Sequence, residues 1–520
     1  MNRNVMLALL VESKSPWDVL VIGGGATGLG IAVDAAARGY RTLLLEQQDF
    51  AKGTSSRSTK LIHGGLRYLK QGNIRLVRES LHERGLLIRN APHLVSPLAF
   101  VIPCYRRHDQ VLYGVGLKVY DALAGSLGIG RSKSMDPSEV STELPGIQQR
   151  NLHGGVRYWD GQFDDTRLAI ALAQTAADLG ATLLNYFQVT SLKKTSGRIS
   201  GVVARDAETG QEYEVAARTV INATGVFADH VRGMDERAMS SYVAPSRGAH
   251  IVLPKSFLPG ASALMIPHTN DNRVLFAIPW NEHVLVGTTD NPALETSLEP
   301  KPTSQEIQFL LEHMGRHLSQ QPTTSDILST FAGLRPLSKA SGTRNTALLP
   351  RDHHINASPS GLLTVTGGKW TTYRHMAEET LDNAVRIGGL PPRKCPTRDL
   401  HLHGWATSGE QVAPTALKVY GTDAPLIADL ARSNPVLQEK LHPALPYIGA
   451  EVIWALRNSM ARTLEDILAR RIRALFLNAR ASIEMAPRVA ALIAQELNKD
   501  AAWEQDQVNS FRHLAQGYLG

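Results

Sequence analysis

The stretch "DVLVIGGGATGLGIAVDAAARGYRTLLLEQQD", residues 18–49, decides the fold. An apolar run leads into a glycine turn, an alanine-rich segment with helical character follows and stops at Gly39, and a second apolar run ends in Glu46. That order reads as a β-α-β unit. Gly23, Gly25 and Gly28 form GxGxxG between the predicted strand and helix. The first glycine permits the tight turn, the second lets backbone approach a pyrophosphate, and the third lets helix and strand pack closely. The helix N-terminus adds unpaired N–H groups and partial positive charge. Glu46 can accept the ribose hydroxyls, and its charge would repel a 2′-phosphate. Glycines alone would be a weak signal, but in this context they predict a dinucleotide site.

NAD and FAD both satisfy such a unit, so the features that follow must choose. A chain built for NAD alone would run on through a compact doubly wound sheet. Here the second strand leads into a polar segment holding Thr54, Ser55, Ser56, Ser58 and Thr59, whose hydroxyls suit a pyrophosphate and an extended cofactor. "VINATG" (220–225) and "TGGKW" (366–370) are two more glycine-terminated strands, placing Gly225, Gly368 and Thr371 near the same ligand. Three separated returns argue for FAD lying extended through a discontinuous domain.

At 520 residues the chain is too long for one core, and two or three domains are expected. Hydrophobic residues at 43% against 20% charged, with no low-complexity tract, mark a folded soluble protein rather than a disordered one. Cys104 and Cys395 stand far apart and outside any CxxC pairing, which argues against a disulfide framework and a cysteine metal site and fits a reducing compartment. The net charge of +7 is a mild excess at this length, and no dense Lys/Arg run interleaved with aromatics accompanies it. Nucleic acid is therefore not an expected partner, whereas an anionic substrate or lipid surface suits the charge. "MNRNVMLALLVESKSP" reads as a ragged extension. No apolar run approaches the ~20 residues that span a bilayer, so membrane contact would be peripheral.

Along the chain, "IRLVRESLHERGLLIRNAPHL" is helical up to Pro92, and "PLAFVIP" (97–103) is a buried strand. "VLYGVGLKVYDALAGSLGIG" is a helix apolar on more than one side, either a core helix or one lying on a membrane surface. "DDTRLAIALAQTAADLGATLL" is an amphipathic helix capped by Asp164 or Asp165 and followed by a strand. From "GAHIVLP" through "RVLFAIPW" to "HVLVGTTD" the chain reads as short antiparallel strands. In the tail, "TLEDILARRIRALF" carries an apolar stripe behind a Thr463/Asp466 capping box, and "PRVAALIAQEL" suits a helix with Pro487 in its first turn. The expected architecture is α/β: a discontinuous Rossmann-like FAD domain (17–96, 151–240, 331–395), an insert that includes a candidate membrane-surface helix (97–150), an antiparallel substrate-binding cap (241–330) and a C-terminal helical domain (396–520).

"VIGGGATGLGIAVDAAARG", "TSSRSTKLIHGGLRYL", "VINATGVFAD", "GAHIVLP", "AIPW", "VGTTD", "AGLRPL", "TGGKWTTYRHMAEETLDNAV" and "MARTLEDILARRIRALF" occur in this order, and together they closely resemble the FAD-dependent glycerol-3-phosphate dehydrogenase family over roughly residues 17–495. HGGLRY and GGKWTTYR set that family apart from the wider amino-acid-oxidase-like flavoproteins. The resemblance implies oxidation of sn-glycerol 3-phosphate to dihydroxyacetone phosphate with FAD reduction, and electrons passing to a membrane quinone. Some relatives are oxidases that use oxygen and give peroxide. It also implies a cytoplasmic protein, peripheral on the inner face of the membrane where it docks, and it leaves room for a homodimer.

Such a reaction needs a base or stabilising charge at the reacting carbon and a cationic cup for a phosphate. Guanidinium can grip two phosphate oxygens at once and lysine adds a compact charge. The resemblance assigns that cup to Arg67, Arg351 and Lys369 with Tyr68 beside them, the reacting carbon to Arg335 and His250, and the flavin ring to His63 and Gly64. The pairs His353/His354 and His401/His403 lack HExxH or cysteine–histidine spacing and are read as loop histidines, so no metal is expected.

Overall fold

The computed structural model describes residues 1–70, 72–236, 241–270, 273–339, 352–406 and 415–520, with the backbone alone at Arg67, Lys70, Arg107 and Thr415. Strand Trp17–Ile22 leads into helix Ala26–Ala37 and strand Thr42–Leu45. These two strands pair in parallel, Val19 opposite Thr42 and Ile22 opposite Leu45. Strand Glu212–Asn222 flanks the first strand on its other side, Leu363–Gly367 lies beyond it, and Thr182–Leu184 closes the opposite edge, all in parallel. A parallel sheet needs cover on both faces. The covered strands are accordingly apolar throughout: Val19, Leu20, Val21, Leu43 and Leu44 are wholly buried. The sheet is closed by residues from three remote segments, as the discontinuous reading expects.

Among the described residues a second sheet of ten strands stands beside it, antiparallel except where Ala263–Ile266 runs parallel to Val95–Cys104. Strand Gly154–Phe163, which the sequence assigned to the cofactor domain, pairs along its length with Val95–Cys104 in this sheet. Strand Ser329–Ser338, read as the return to the cofactor domain, pairs residue for residue with Val243–Pro254. A local reading of sequence registers where each strand stands along the chain rather than its long-range pairing.

Three local expectations need correction. The N-terminal residues form helix Arg3–Val11, because Asn2 accepts hydrogen bonds from the Asn4 and Val5 amides, Met6 and Leu10 are buried one turn apart, and Arg3 pairs with buried Asp206 at 2.6 Å. Pro487 sits inside helix Ala479–Leu497 rather than in its first turn; the cap is Asn478, which accepts from the Ala481 amide at 3.1 Å. The Thr463/Asp466 box forms, each side chain accepting from the other's amide at 3.2 and 3.0 Å. The helix beyond it does not run on: Asp466–Arg471 is π-helical, Arg473 is left-handed at φ 57°, and helix Ala474–Leu477 restarts the chain. Its arginines explain the break. Arg470 and Arg471 turn inward onto Asp49 at 2.5 and 2.7 Å, and Arg473 reaches Thr166 at 2.6 Å. The helical tail is thereby pinned to the loop after the second strand.

Candidate active site

A cavity of about 410 Å³ opens at the carboxyl ends of the parallel strands and runs to the antiparallel sheet. Ligands in open α/β sheets lie at this edge. Gly23, Gly25, Glu46, Thr54, Ser55, Ser58, Thr59, His63, Tyr68, Gly225, His250, Arg335, Gly368, Lys369 and Thr371 all line it. Gly28 and Gly64 stand behind the lining. Arg351 lies outside the described residues, as does the side chain of Arg67; the Arg67 backbone belongs to helix Leu66–Lys70, between Gly65 and Tyr68.

At one end the site is made of backbone. Gly23 has φ 109°, a conformation that favours glycine, and a Cβ on Gly28 would stand 1.9 Å from the Gly23 carbonyl oxygen. The helix from Ala26 therefore packs against the turn with nothing between them. Ser55 accepts from the Ala26 amide at 2.9 Å, and its carbonyl accepts from the Trp370 indole at 2.9 Å. Glu46 accepts from the Gly24 amide at 2.6 Å and the Gln48 amide at 2.9 Å, and burial raises its pKa above the ordinary range. The other hydroxyls of the polar segment hold protein: Thr54 donates to the Leu334 carbonyl at 2.5 Å, and Ser58 to Asp165 at 2.7 Å.

The other end is made of side chains from separate segments. His250 lies in strand Val243–Pro254, stacked on Phe331 of the paired strand with ring centres 4.7 Å apart, and its Nε2 is 3.0 Å from the Thr59 hydroxyl. Burial, with the charges of Lys60 and Arg335, holds its pKa well below the usual value, so the ring is neutral. Arg335 donates to the Thr288 hydroxyl at 3.2 Å and the Thr289 carbonyl at 3.1 Å, with Asp290 3.6 Å away. Lys369 donates to Ser80 at 3.2 Å and lies 4.2 Å over the Tyr68 ring, a cation–π arrangement at the cavity wall. Between the two ends, the His63 amide donates to Thr371 at 3.2 Å. The Gly64 amide donates to Tyr120 at 2.8 Å, and Tyr120 in turn donates to Asp160 at 2.9 Å.

Sequence reading passed over Lys60, Asp160 and Tyr120. Lys60 stands inside the quoted motif "STKLIHGG", and its signal is a lysine in an otherwise apolar and glycine-rich context. Asp160 and Tyr120 have no local signal, because the turn they support lies far away in sequence. His353 pairs with Glu379 at 2.5 Å, and His403 sits between Asp178 and Asp423 at 2.6 and 3.1 Å, which lifts its pKa to about 9. No group of three or more His, Cys, Asp or Glu that could hold a metal occurs among the described residues.

Residues 18–374 match the FAD dependent oxidoreductase family, and residues 363–504 match the C-terminal domain of alpha-glycerophosphate oxidase. The human mitochondrial glycerol-3-phosphate dehydrogenase is 40% identical over 545 residues, spanning 98% of this chain and 75% of that one. The chain belongs to the FAD-dependent glycerol-3-phosphate dehydrogenase family. A mitochondrial member from Arabidopsis thaliana is 38% identical over 554 residues, covering 98% of this chain and 88% of the other. The crystal structure of the glycerol-3-phosphate dehydrogenase from Bacillus halodurans complexed with FAD superposes with a TM-score of 0.81 at 28% identity, covering 100% of this chain and 98% of that one. An L-alpha-glycerophosphate oxidase from Mycoplasma pneumoniae shares the fold at a TM-score of 0.57 and 17% identity, over 74% of this chain and 98% of that one.

The family's cofactor is FAD, and the residues at the glycine end fit it. Backbone there leaves room only where glycine stands: a Cβ on Gly23 would meet the Ala223 carbonyl oxygen at 2.8 Å, and one on Gly368 the Met376 sulfur at 2.2 Å. The Ala26 helix start suits the pyrophosphate and Glu46 the ribose. The His63–Gly64 turn, with Thr371 against it, would face the flavin ring.

Proposed function

We propose that the chain oxidises sn-glycerol 3-phosphate to dihydroxyacetone phosphate and delivers the electrons to a quinone-type acceptor. The observation that carries the reading is the make-up of one cavity: a dinucleotide cradle at one end, and at the other a neutral buried histidine with Arg335 and Lys369. Bound FAD supplies the hydride acceptor for C2 of the substrate. The chain's part is to hold the substrate and manage its proton. A neutral imidazole can take the C2 hydroxyl proton, which an imidazolium could not. Arg335, fixed by Thr288 and Thr289, supplies positive charge where an alkoxide develops. Lys369 supplies charge for the phosphate beside Tyr68, and the family resemblance adds Arg67 and Arg351 to that role. The substrate assignment also rests on the printed activities of the relatives, over nearly the whole chain.

The quinone reading is supported by helix Arg107–Ala124. Its Val111, Leu112, Val115 and Val119 are 69%, 64%, 63% and 44% exposed, an apolar stripe at helical spacing that water leaves unsatisfied. Laid on the cytoplasmic face of a membrane, that stripe would bring the enzyme to a lipid-soluble acceptor. No helix among the described residues is long and apolar enough to cross a bilayer.

Anaerobic addition of sn-glycerol 3-phosphate should bleach the flavin absorbance, and a quinone analogue should restore it. Bleaching by other phosphorylated or carboxylate substrates but not by this one would overturn the substrate. Peroxide formed in near-stoichiometric amounts under air would replace the dehydrogenase reading with an oxidase one.

A further inference from the structure

We propose that Lys60 is a positioning residue for His250: its buried ammonium, next in the chain to the Thr59 hydroxyl that holds the ring, keeps the imidazole in place and uncharged. The proposal rests on the reading of His250 as the proton acceptor.

Three observations carry it. First, Lys60 is wholly buried, and its ammonium donates to Asp165 at 2.6 Å and to the Ser56 carbonyl at 2.9 Å. Trp280, Phe331 and Phe476 surround it with ring centres 5.2 to 5.6 Å away. Phe331 is also the ring on which His250 stacks, so one aromatic side chain touches both groups. Second, Lys60 is left-handed at φ 61°, a conformation that costs a non-glycine residue about 1 kcal/mol. Such strain persists only where the surroundings over-determine it. Here the buried ion pair does so, and the same backbone turn aims Thr59 at His250 and Ser58 at Asp165. Third, an apolar pair of similar volume would fill the same space at lower desolvation cost. Buried pairs are weak sources of stability, which leaves this one to be explained by what its charge does.

The charged groups facing His250 are Lys60, from the polar loop, and Arg335, from the strand paired with its own. Asp165 and Arg473 lie behind Lys60, 3.3 Å from each other, and Asp290 sits beside Arg335. Burial, opposed by Asp165, draws the Lys60 ammonium down to about 7. It is therefore charged throughout the acidic range in which an imidazole would gain its proton, and like charges nearby disfavour that gain. His250 Nδ1 is buried with no hydrogen-bond partner among the described residues, so no carboxylate bonds the ring there, and Asp165 and Asp290 act only through the cations they pair with.

The test is the titration of His250 in the FAD-loaded enzyme, followed by carbon-13 imidazole resonances assigned with His250→Asn, beside kcat/KM over the same pH range. Lys60→Met should move both the His250 midpoint and the acidic limb of kcat/KM upward by about one pH unit, while Lys60→Arg leaves them near wild type. Should Lys60→Met fail to fold, Lys60→Gln, which also removes the charge and leaves Asp165 with Arg473 and Ser58, carries the same expectation. An unchanged His250 midpoint in the charge-removing variant, or an equal shift in Lys60→Arg, overturns the proposal. Wild-type enzyme that sn-glycerol 3-phosphate does not bleach would instead overturn the functional reading, and the resonance titration would still decide the role of Lys60.

Discussion

The two ends of the cavity are built on opposite plans. At the nucleotide end, Gly23, Gly25, Gly28 and Glu46 belong to one β-α-β unit; the glycines contribute backbone and empty space, and Glu46 adds one carboxylate held by the Gly24 and Gln48 amides. At the substrate end, Thr59, His250, Arg335 and Lys369 come from the polar loop, from two strands of the second sheet and from the turn after the last parallel strand. What they contribute is charge and hydrogen-bonding atoms. The first plan tolerates no added volume and is indifferent to most charge; the second tolerates some volume but not a lost charge. Gly28→Val tests the first plan at its tightest point, where even a Cβ would stand 1.9 Å from the Gly23 carbonyl oxygen. No rotamer relieves a clash with backbone, so the helix must leave the turn. The expected result is protein that purifies without flavin and melts well below wild type, a loss of at least ~3–4 kcal/mol. A normal flavin-to-protein ratio in this variant would show that the turn can open, and would break the contrast.

Arg335→Ala probes the second plan. The guanidinium lies across Thr288 and Thr289, and its removal deletes charge at the proposed reacting centre while leaving the glycine cradle intact. Flavin content should be unchanged and kcat should fall about 10²–10³-fold. Arg335→Lys should recover only part of this, because a compact ammonium on a different stem does not reproduce the reach and planar charge of the guanidinium. Lys369→Met should act mainly on binding, raising KM for sn-glycerol 3-phosphate about 10-fold to 100-fold with a smaller effect on kcat. The reverse pattern, kcat lost at constant KM, would remove Lys369 from the phosphate cup and move it to the chemistry.

The same contrast explains what could be read from the chain. GxGxxG, the strand before it and Glu46 after it state their geometry within a few tens of residues, because turn, helix start and strand end are local properties. The site at large was recognisable from motifs such as "HGGLRY" and "GGKWTTYR", yet the motif did not say what each residue touches. Thr54 and Ser58 look like cofactor ligands by their hydroxyls, but they bond the Leu334 carbonyl and Asp165, partners that only the folded chain brings near. Gly154–Phe163 and Ser329–Ser338 reach the cofactor domain in sequence and the antiparallel sheet in space. The break after Arg471 was illegible for a similar reason: the apolar stripe of residues 464–476 is intact and buried, and the arginines that bend it answer to Asp49 and Asp165.

A milder substitution tests the region between the two ends. Tyr120, on the helix that carries the exposed apolar stripe, accepts from the Gly64 amide and donates to Asp160, which Arg84 pairs with at 2.6 Å. Tyr120→Phe keeps the ring packed against Tyr158 and deletes only the hydroxyl. The Gly64 amide retains a longer contact to Asp160 at 3.4 Å, so the turn loses its better partner without losing every one. An incompletely satisfied buried amide costs about 1–3 kcal/mol, read as a melting point lower by a few degrees. Because the neighbouring His63 is held from the other side by Thr371, flavin should stay bound and kcat/KM should fall by no more than about threefold. If Tyr120→Phe instead releases flavin, the turn owes its shape to this one hydroxyl, and side-chain bonding, not backbone, shapes the cradle there.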